Sequence, residues 1–317
     1  MFYSIRHVTR FSYSSPISES VMEVRMQPRS EVHQRCLKFD LTTQPRARIL
    51  GYRDFTGNIV HHFDIPAPHS QLKISAEATV ETSPLAPLPE SLGSEAWRST
   101  AALGDSGDFW DYLRPSRFAE RSDLLLQLKR ELGIERRGDP LSLLREINSV
   151  IFESFAYSPQ STSVDSPIDH ALAERKGVCQ DFAHIMIALV RELSIPCRYV
   201  SGYLYHEIES HDRSGENATH AWVEAYLPEL GWIGFDPTNN LIAGERHIRT
   251  ALGRDYGDVP PTRGIYKGIA QSELSVGVQV STTEAPPPDE ESLPMATWIG
   301  PPIPTYDEQQ QQQQQQQ

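Results

Sequence analysis

Three residues in this chain have the types and surroundings for nucleophilic acyl transfer: Cys179, His220 and Asp236. A thiolate attacks carbonyl carbon, an imidazole takes and returns the proton, and a carboxylate holds the imidazole in one orientation. Cys179 follows Gly177-Val178 and opens a stripe of Cys179, Phe182, Ala183, Met186, Ile187 and Val190. That spacing predicts a helix with the cysteine in its first turn, on the side that faces the core. The first turn carries the positive end of the helix dipole and backbone N–H groups with no partner inside the helix. It therefore favours thiolate over thiol and can hold a developing oxyanion. Gly177 allows close approach of backbone or substrate. A buried structural cysteine fits the same segment equally well.

In Thr219-His220-Ala221-Trp222-Val223-Glu224-Ala225-Tyr226 the even positions share one strand face, and Ala221, Val223 and Ala225 the other. Taken alone, His220 reads as a histidine satisfied locally at a strand start, and Asp236, before Pro237, as a turn residue. The pair reads differently. Leu227-Pro228-Glu229-Leu230-Gly231 is a hairpin connection, so the flanking strands are antiparallel neighbours. Pairing Tyr226 with Leu230 continues as Glu224 with Trp232, Trp222 with Gly234 and His220 with Asp236. Directly opposed Cβ atoms lie about 4.5–5.5 Å apart, within reach of an imidazole–carboxylate hydrogen bond. A shift of one residue would send the two side chains to opposite faces. The other ring nitrogen then faces the helix that carries Cys179.

Other residues make weaker cases. Asp181 complements the dipole of the first turn as a structural cap. Gln180 can point an amide at the site, although a solvated position suits it better. His184 lies five residues beyond Cys179, which is not the spacing of a helical metal pair. His61 and His62 point to opposite faces of a strand. His206, His211 and Asp212 fall in a polar loop at 205–218, where solvation is the default. Trp222, Tyr226 and Trp232 can line a cleft, with core packing the better account of each. The loop Arg254-Asp255-Tyr256-Gly257-Asp258-Val259-Pro260 fits the border of the site and a plain surface loop equally. Cys36 and Cys197 read as non-catalytic.

The elements that must position these residues follow from periodicity. Leu37, Phe39 and Leu41 alternate with polar neighbours, as do Ile59, His61, Phe63 and Ile65, and then Leu72, Ile74, Ala76, Ala78 and Val80. Residues 1–84 therefore read as a small antiparallel β domain, a sandwich by expectation. The proline-rich run 83–89 cannot continue a strand or helix and opens a connector over 85–118. A helix carrying Leu124, Leu125, Leu128 and Leu132 stops at Gly133. Asp139-Pro140 starts a second helix, a short third one runs from Ser166-Pro167 to Glu174, and 179–193 forms the fourth. Strands are expected at 197–205, 219–227, 231–235 and 274–280. The catalytic segment is accordingly placed at 119–282. The Pro-, acid- and Gln-rich tail at 283–317 lacks the apolar content to order itself.

Composition narrows the function. The chain has 317 residues, 38% hydrophobic and 22% charged, which suits a globular protein of roughly two domains. A formal net charge of −13 argues against nucleic acid as a partner and weakly favours neutral or basic substrates. No apolar run approaches the roughly 18–20 residues that span a bilayer, so no membrane partner is expected. The N-terminus has no basic segment followed by an apolar one, and the cytoplasm is the expected location. With 3 cysteines a disulfide framework is not expected. Cys-x-x-Cys, His-Glu-x-x-His and phosphate-cradling glycine loops are missing, so neither a metal nor a nucleotide cofactor is expected.

Four stretches together resemble the bacterial transglutaminase-like proteins. They are Gly177-Val178-Cys179-Gln180-Asp181-Phe182-Ala183-His184, Ile195-Pro196-Cys197-Arg198-Tyr199-Val200-Ser201-Gly202-Tyr203, His220-Ala221-Trp222-Val223-Glu224-Ala225-Tyr226, and Gly231-Trp232 with Phe235-Asp236-Pro237-Thr238. The resemblance spans roughly 140–270, and the β segment before it resembles the domain that precedes this core in many bacterial members. Cys197 departs from the pattern, where alanine is more familiar. The resemblance implies an α+β fold, a papain-like core with a catalytic helix on an antiparallel sheet, behind a small all-β domain. It implies Cys179 as nucleophile, His220 as base and Asp236 as the orienting group. It does not fix the substrate. A cysteine peptidase or amidase acting on a peptide or other amide is expected first, and a protein-glutamine transglutaminase, with an amine replacing water, second. A non-catalytic binding module on the same fold is the third possibility, which the intact Cys, His and Asp set argues against.

Overall fold

The computed structural model describes residues 1–159, 161–207, 210–215 and 217–285. Beyond 285 the expected disordered tail lies outside the described residues. Six strands come first: β1 (Phe2–Ile17), β2 (Glu19–Val24), β3 (Gln34–Gln44), β4 (Leu50–Arg53), β5 (Ile59–Ile65) and β6 (His69–Thr82). The connector then holds two short helices, α1 (Ala96–Ser106) and α2 (Trp110–Leu113). The core follows with α3 (Asp123–Glu131), α4 (Pro140–Ser154), β7 (Ala156–Tyr157), α5 (Ile168–Glu174), β8 (Lys176–Gly177) and α6 (Cys179–Glu192). Next are β9 (Cys197–Leu204), β10 (His220–Leu227), β11 (Gly231–Asp236), β12 (Leu241–Ile242) and β13 (His247–Gly253). The described chain closes with β14 (Thr262–Lys267) and β15 (Ser272–Thr282).

The local signals explain the helices. Ser122 caps α3 by accepting from Leu125 N, and Gly133 takes the left-handed conformation (φ 61°) that ends it. Asp139 Oδ1 accepts from Leu141 N and Ser142 N at 3.1 and 3.2 Å, with Pro140 in the first turn of α4 where its missing N–H costs nothing. α6 is buried on all sides and not only along the stripe that marks it. Phe182 and Met186 on this helix are fully buried, each contributing about 1.5–3 kcal/mol of hydrophobic stabilisation. Its charged Arg191 is satisfied by the backbone carbonyls of Tyr112, Cys197 and Arg254 and by Ser116 Oγ.

Beside α6 lies a five-stranded antiparallel sheet in the order β12-β11-β10-β9-β13. Ala221, Val223, Ala225 and Leu227 of β10 join the helical core. On the opposite face Trp222 is covered by the chain running from β12 into β13, with Ala243 against it. Gly234 makes room for that crossing, because a Cβ there would lie 2.5 Å from Ala243 Cβ.

The strand-rich part is a sandwich of two antiparallel four-stranded sheets, β15-β1-β6-β3 and β14-β2-β5-β4. Tyr13, Ile17, Met22, Phe63, Leu72 and Ile74 fill the space between them. Membership differs from the segment boundaries expected above. Residues 262–282 leave the core: β14 pairs with β2, and β15 pairs with β1 from Tyr3↔Thr282 to Tyr13↔Ser272. Alternation in β15 marks a half-buried strand but carries no information about its partner.

The sandwich meets the core at β13, an edge strand. Gln34 Nε2 donates to Arg249 O at 2.9 Å while its Oε1 accepts from Arg249 N at 2.8 Å. Asn58 treats Leu252 the same way, with both bonds at 2.8 Å. Two side-chain amides thus stand in for a neighbouring strand.

Candidate active site

Cys179 is the first residue of α6 and is half-buried. Val178 precedes it in extended conformation and has no polar side chain to cap the helix. The cap comes from Asp181, whose Oδ2 accepts from Val178 N at 2.8 Å and from Thr162 Oγ1 at 2.6 Å. Gly177 serves this carboxylate, since a Cβ there would come within 2.8 Å of Asp181 Oδ2. The close approach expected at Gly177 is therefore made by Asp181. Gln180 is not solvated. It is buried and donates to Val164 O at 3.0 Å.

His220 and Asp236 meet as the hairpin reading requires, but through a different register. The pairs are Val223↔Phe235, Glu224↔Gly234, Tyr226↔Trp232 and Leu227↔Gly231, so the expected Tyr226–Leu230 pairing is wrong by two residues. Leu230 N donates to Leu227 O in a tight turn, and Gly231 follows at φ 75°. Three residues, 228–230, thus join the strands, and the residue that follows the turn takes the left-handed conformation. A displacement of two preserves the strand face, and His220 Nε2 lies 2.8 Å from Asp236 Oδ2.

Asp236 is fully buried with both oxygens engaged. Oδ1 accepts from Thr238 N and Asn239 N at 3.0 and 3.3 Å. Oδ2 accepts from His220 Nε2, from Asn239 Nδ2 at 2.8 Å and from His247 Nε2 at 3.2 Å. Burial alone would raise its pKa, but the charge and hydrogen bonds of His220, with help from His247, hold the carboxyl well below the usual carboxylate range. Burial alone would lower the pKa of His220. Asp236 and then Cys179 outweigh it and bring the imidazole to about 10. His220 Nδ1 is buried and, Cys179 apart, has no hydrogen-bond partner among the described residues, which leaves this nitrogen for the thiol. Trp222 stacks on the His220 ring, centroids 6.0 Å apart at 25°.

His247 is the site residue the sequence does not signal. It follows the polar run Gly244-Glu245-Arg246 and carries no motif or period that would mark it. With His220 and Asp236 it forms a cluster whose ligand-type atoms lie within 4.8 Å of one another. The donor set does not fit a metal as it stands. Gly244 N donates to His247 Nδ1, which leaves the proton on Nε2, the atom that would have to bind the ion.

The remaining candidates fall elsewhere. His184 is buried, held at about 3 by desolvation, and accepts from Tyr256 N between the rings of Phe118 and Tyr199. The 254–260 loop thus packs on His184. His206 and Asp212 are not solvated: they form a shielded cluster with Arg246. Tyr226 and Trp232 pack with Phe109 and Tyr112 at the turn end of the hairpin, away from His220. Burial pushes the Cys36 thiol up to about 11 and that of Cys197 to about 12.

A buried helix that offers a cysteine at its N-terminus to a histidine–carboxylate pair on an antiparallel sheet defines a papain-like α+β core. Residues 125–237 match the transglutaminase-like superfamily, and residues 3–81 match the bacterial transglutaminase-like N-terminal region. An uncharacterized protein of Mycobacterium leprae is 32% identical over 276 residues, 87% of this chain and 96% of that protein. A protein-glutamine gamma-glutamyltransferase of Pseudomonas aeruginosa is 32% identical over 138 residues, 40% of this chain and 20% of that enzyme. The crystal structure of a candidate cysteine protease from Cytophaga hutchinsonii superposes with a TM-score of 0.72 at 25% identity, covering 90% of this chain and 92% of that one. The chain belongs to the transglutaminase-like superfamily.

Proposed function

We propose that this protein is a thiol-dependent acyl-transfer enzyme, a cysteine peptidase or amidase that cleaves an amide through an acyl-enzyme on Cys179. The orientation of His220 carries this reading: Nε2 is committed to Asp236, and Nδ1 is open toward the thiol. Transfer of the thiol proton to Nδ1 gives a thiolate–imidazolium pair that the Asp236 carboxylate stabilises. Sulfur attacks the carbonyl carbon, the C–S bond forms, and the carbonyl π pair moves onto oxygen near the free N–H groups of the first turn of α6. As the oxyanion collapses, the C–N bond breaks and the departing amine takes the proton from Nδ1. Water then attacks the thioester carbon and gives a proton to Nδ1, and as the tetrahedral intermediate collapses the C–S bond breaks, its electron pair returning to sulfur and releasing the acid. The thiolate recovers that proton or keeps the ion pair.

The likeness to the Cytophaga protein, over nearly all of both chains, supports hydrolysis. The likeness to the Pseudomonas gamma-glutamyltransferase favours a second reading, in which a primary amine replaces water at the thioester. All three cysteines are free, which suits a reducing compartment, and we place the protein in the cytoplasm.

A thiol-reactive probe applied to wild type and Cys179→Ala near neutral pH tests the nucleophile, with selective loss of labelling in the variant expected. Equal labelling would overturn the reading. A peptide library offered with and without an amine then decides the acceptor: acid release without amine incorporation means hydrolysis.

A further inference from the structure

We propose that His247 is a positioning residue of this site: a permanently neutral imidazole that donates to Asp236 Oδ2 and so sets how strongly the carboxylate holds the His220 imidazolium. The inference rests on the acyl-transfer role proposed for Cys179, His220 and Asp236.

Its ground is the tautomer. A backbone N–H can only donate, and that of Gly244 lies 3.2 Å from His247 Nδ1, so Nδ1 carries a lone pair. The single ring proton is then on Nε2, 3.2 Å from Asp236 Oδ2. Protonating the ring would set an Nδ1–H against the Gly244 N–H. Burial acts in the same direction and lowers the pKa of His247 against the pull of Asp236. The charged groups facing this ring are Asp236 on β11, His220 on β10 and the adjacent Arg246, whose guanidinium is held by Asp212. The Trp222 ring meets His247 edge-on at 5.2 Å and stacks on His220, so one indole fixes both imidazoles.

Sharing Oδ2 has a chemical consequence. A hydrogen bond to the charged form of a carboxylate stabilises that form independently of its counter-ion. With Asn239 and His247 also donating, the carboxylate depends less on the imidazolium, and His220 releases its proton more readily to the leaving amine. Without His247 the ion pair tightens and proton delivery slows.

Nitrogen-15 NMR of histidine-labelled wild-type protein reads the tautomer directly. His247 should show a protonated Nε2 and a bare Nδ1 from about pH 5 to about pH 8, the range in which a free imidazole titrates. An imidazolium or an Nδ1–H signal in that range overturns the proposal. Two variants carry the test to His220. His247→Phe keeps a ring without the donor, and His247→Gln keeps an N–H near the position of Nε2. The ratio of Cys179 alkylation rates by iodoacetate and iodoacetamide reports the imidazolium, because only the anionic reagent gains from a positive charge beside the sulfur. The pH at which this ratio falls should rise by about half a unit to one unit in His247→Phe, about three- to tenfold tighter proton binding, and stay near wild type in His247→Gln. An unmoved midpoint in folded His247→Phe overturns the proposal, and if that variant does not fold, the wild-type tautomer decides. Failure of the acyl-transfer reading looks different: wild-type Cys179 would alkylate no faster than Cys36, whatever the tautomer of His247.

Discussion

His220 Nε2 lies 2.8 Å from Asp236 Oδ2, although the two residues do not face each other across the ladder. The last pair of the hairpin is Val223 with Phe235, so the imidazole reaches its carboxylate along a diagonal. Same-face diagonal neighbours sit about 7–8 Å apart at the backbone, a gap that a histidine and an aspartate close with their side chains.

That geometry makes Asp236 sensitive to substitution in two separable ways. Asp236→Ala removes the acceptor of five hydrogen bonds. Urea unfolding should show a loss of about 3–5 kcal/mol, the cost of breaking a buried pair by removing one partner. Asp236→Asn should fold better and still lose activity by about a thousandfold or more on an activated ester. Its amide N–H can face His220 Nε2 and drive the ring proton to Nδ1, the atom that must accept from sulfur.

Stability should peak near pH 6.5 and fall on both sides. The His220 pKa is raised from 6.5 to about 10, so its contribution is complete below 6.5 and is lost as pH climbs toward 10. His7 and His184 are lowered by burial to about 4 and about 3. The unfolded chain therefore takes up protons below 6.5 that the folded chain refuses, and stability drops there as pH falls. The contribution of Asp236, whose carboxyl is depressed, is present above its ordinary value of 3.8 and disappears only at still lower pH. Thermal midpoints measured across this range should show both limbs, and the alkaline one should flatten in Asp236→Asn.

Gly177→Ala should damage the nucleophile without touching it. The added methyl meets Asp181 Oδ2 at 2.8 Å and Asp181 Cβ at 2.9 Å. The carboxylate must then release Val178 N–H, and the first turn of α6 loses its cap. A destabilisation of about 1–3 kcal/mol and slower alkylation of Cys179 are expected from chemical unfolding and labelling rates. Equal labelling rates in the folded variant would show that the cap does not position the thiol.

Gln34→Ala and Asn58→Ala should each cost about 1–3 kcal/mol per backbone group left unpaired at β13. Hydrogen exchange at Arg249 and Leu252 should accelerate in the respective variants, since their amides are the ones that lose an acceptor.

The helix of Cys179 was legible because its stripe, Phe182 to Val190, has one period and one beginning. The face shared by His220 and Asp236 was legible because parity survives a displacement of two residues. The register itself was not: it depends on the left-handed conformation of Gly231, which nothing in Leu227-Pro228-Glu229-Leu230-Gly231 distinguishes from a longer or shorter loop. Asp181 showed its role as a cap because first-turn carboxylates have a local purpose. His247 did not, since its partners come from β11 and from the chain crossing the sheet. The same reason hid the destination of β14 and β15. Local pattern reports what a segment is, and only packing reports what it lies against.

The pairing of β1 with β15 bears on synthesis. Residues 2–17 leave the ribosome well before β15, yet the neighbour of Tyr3 to Tyr13 along one edge of that strand is made after residue 271. Until then β6 is the one partner of β1 among the described strands, and the sandwich is short of β14 and β15. The nascent N-terminal half must wait with an open edge while the core is translated and folded, a period in which unpaired strands are prone to association. The joining of β15 to β1 is then a clasp, in which a strand made late returns to one made early and closes their sheet.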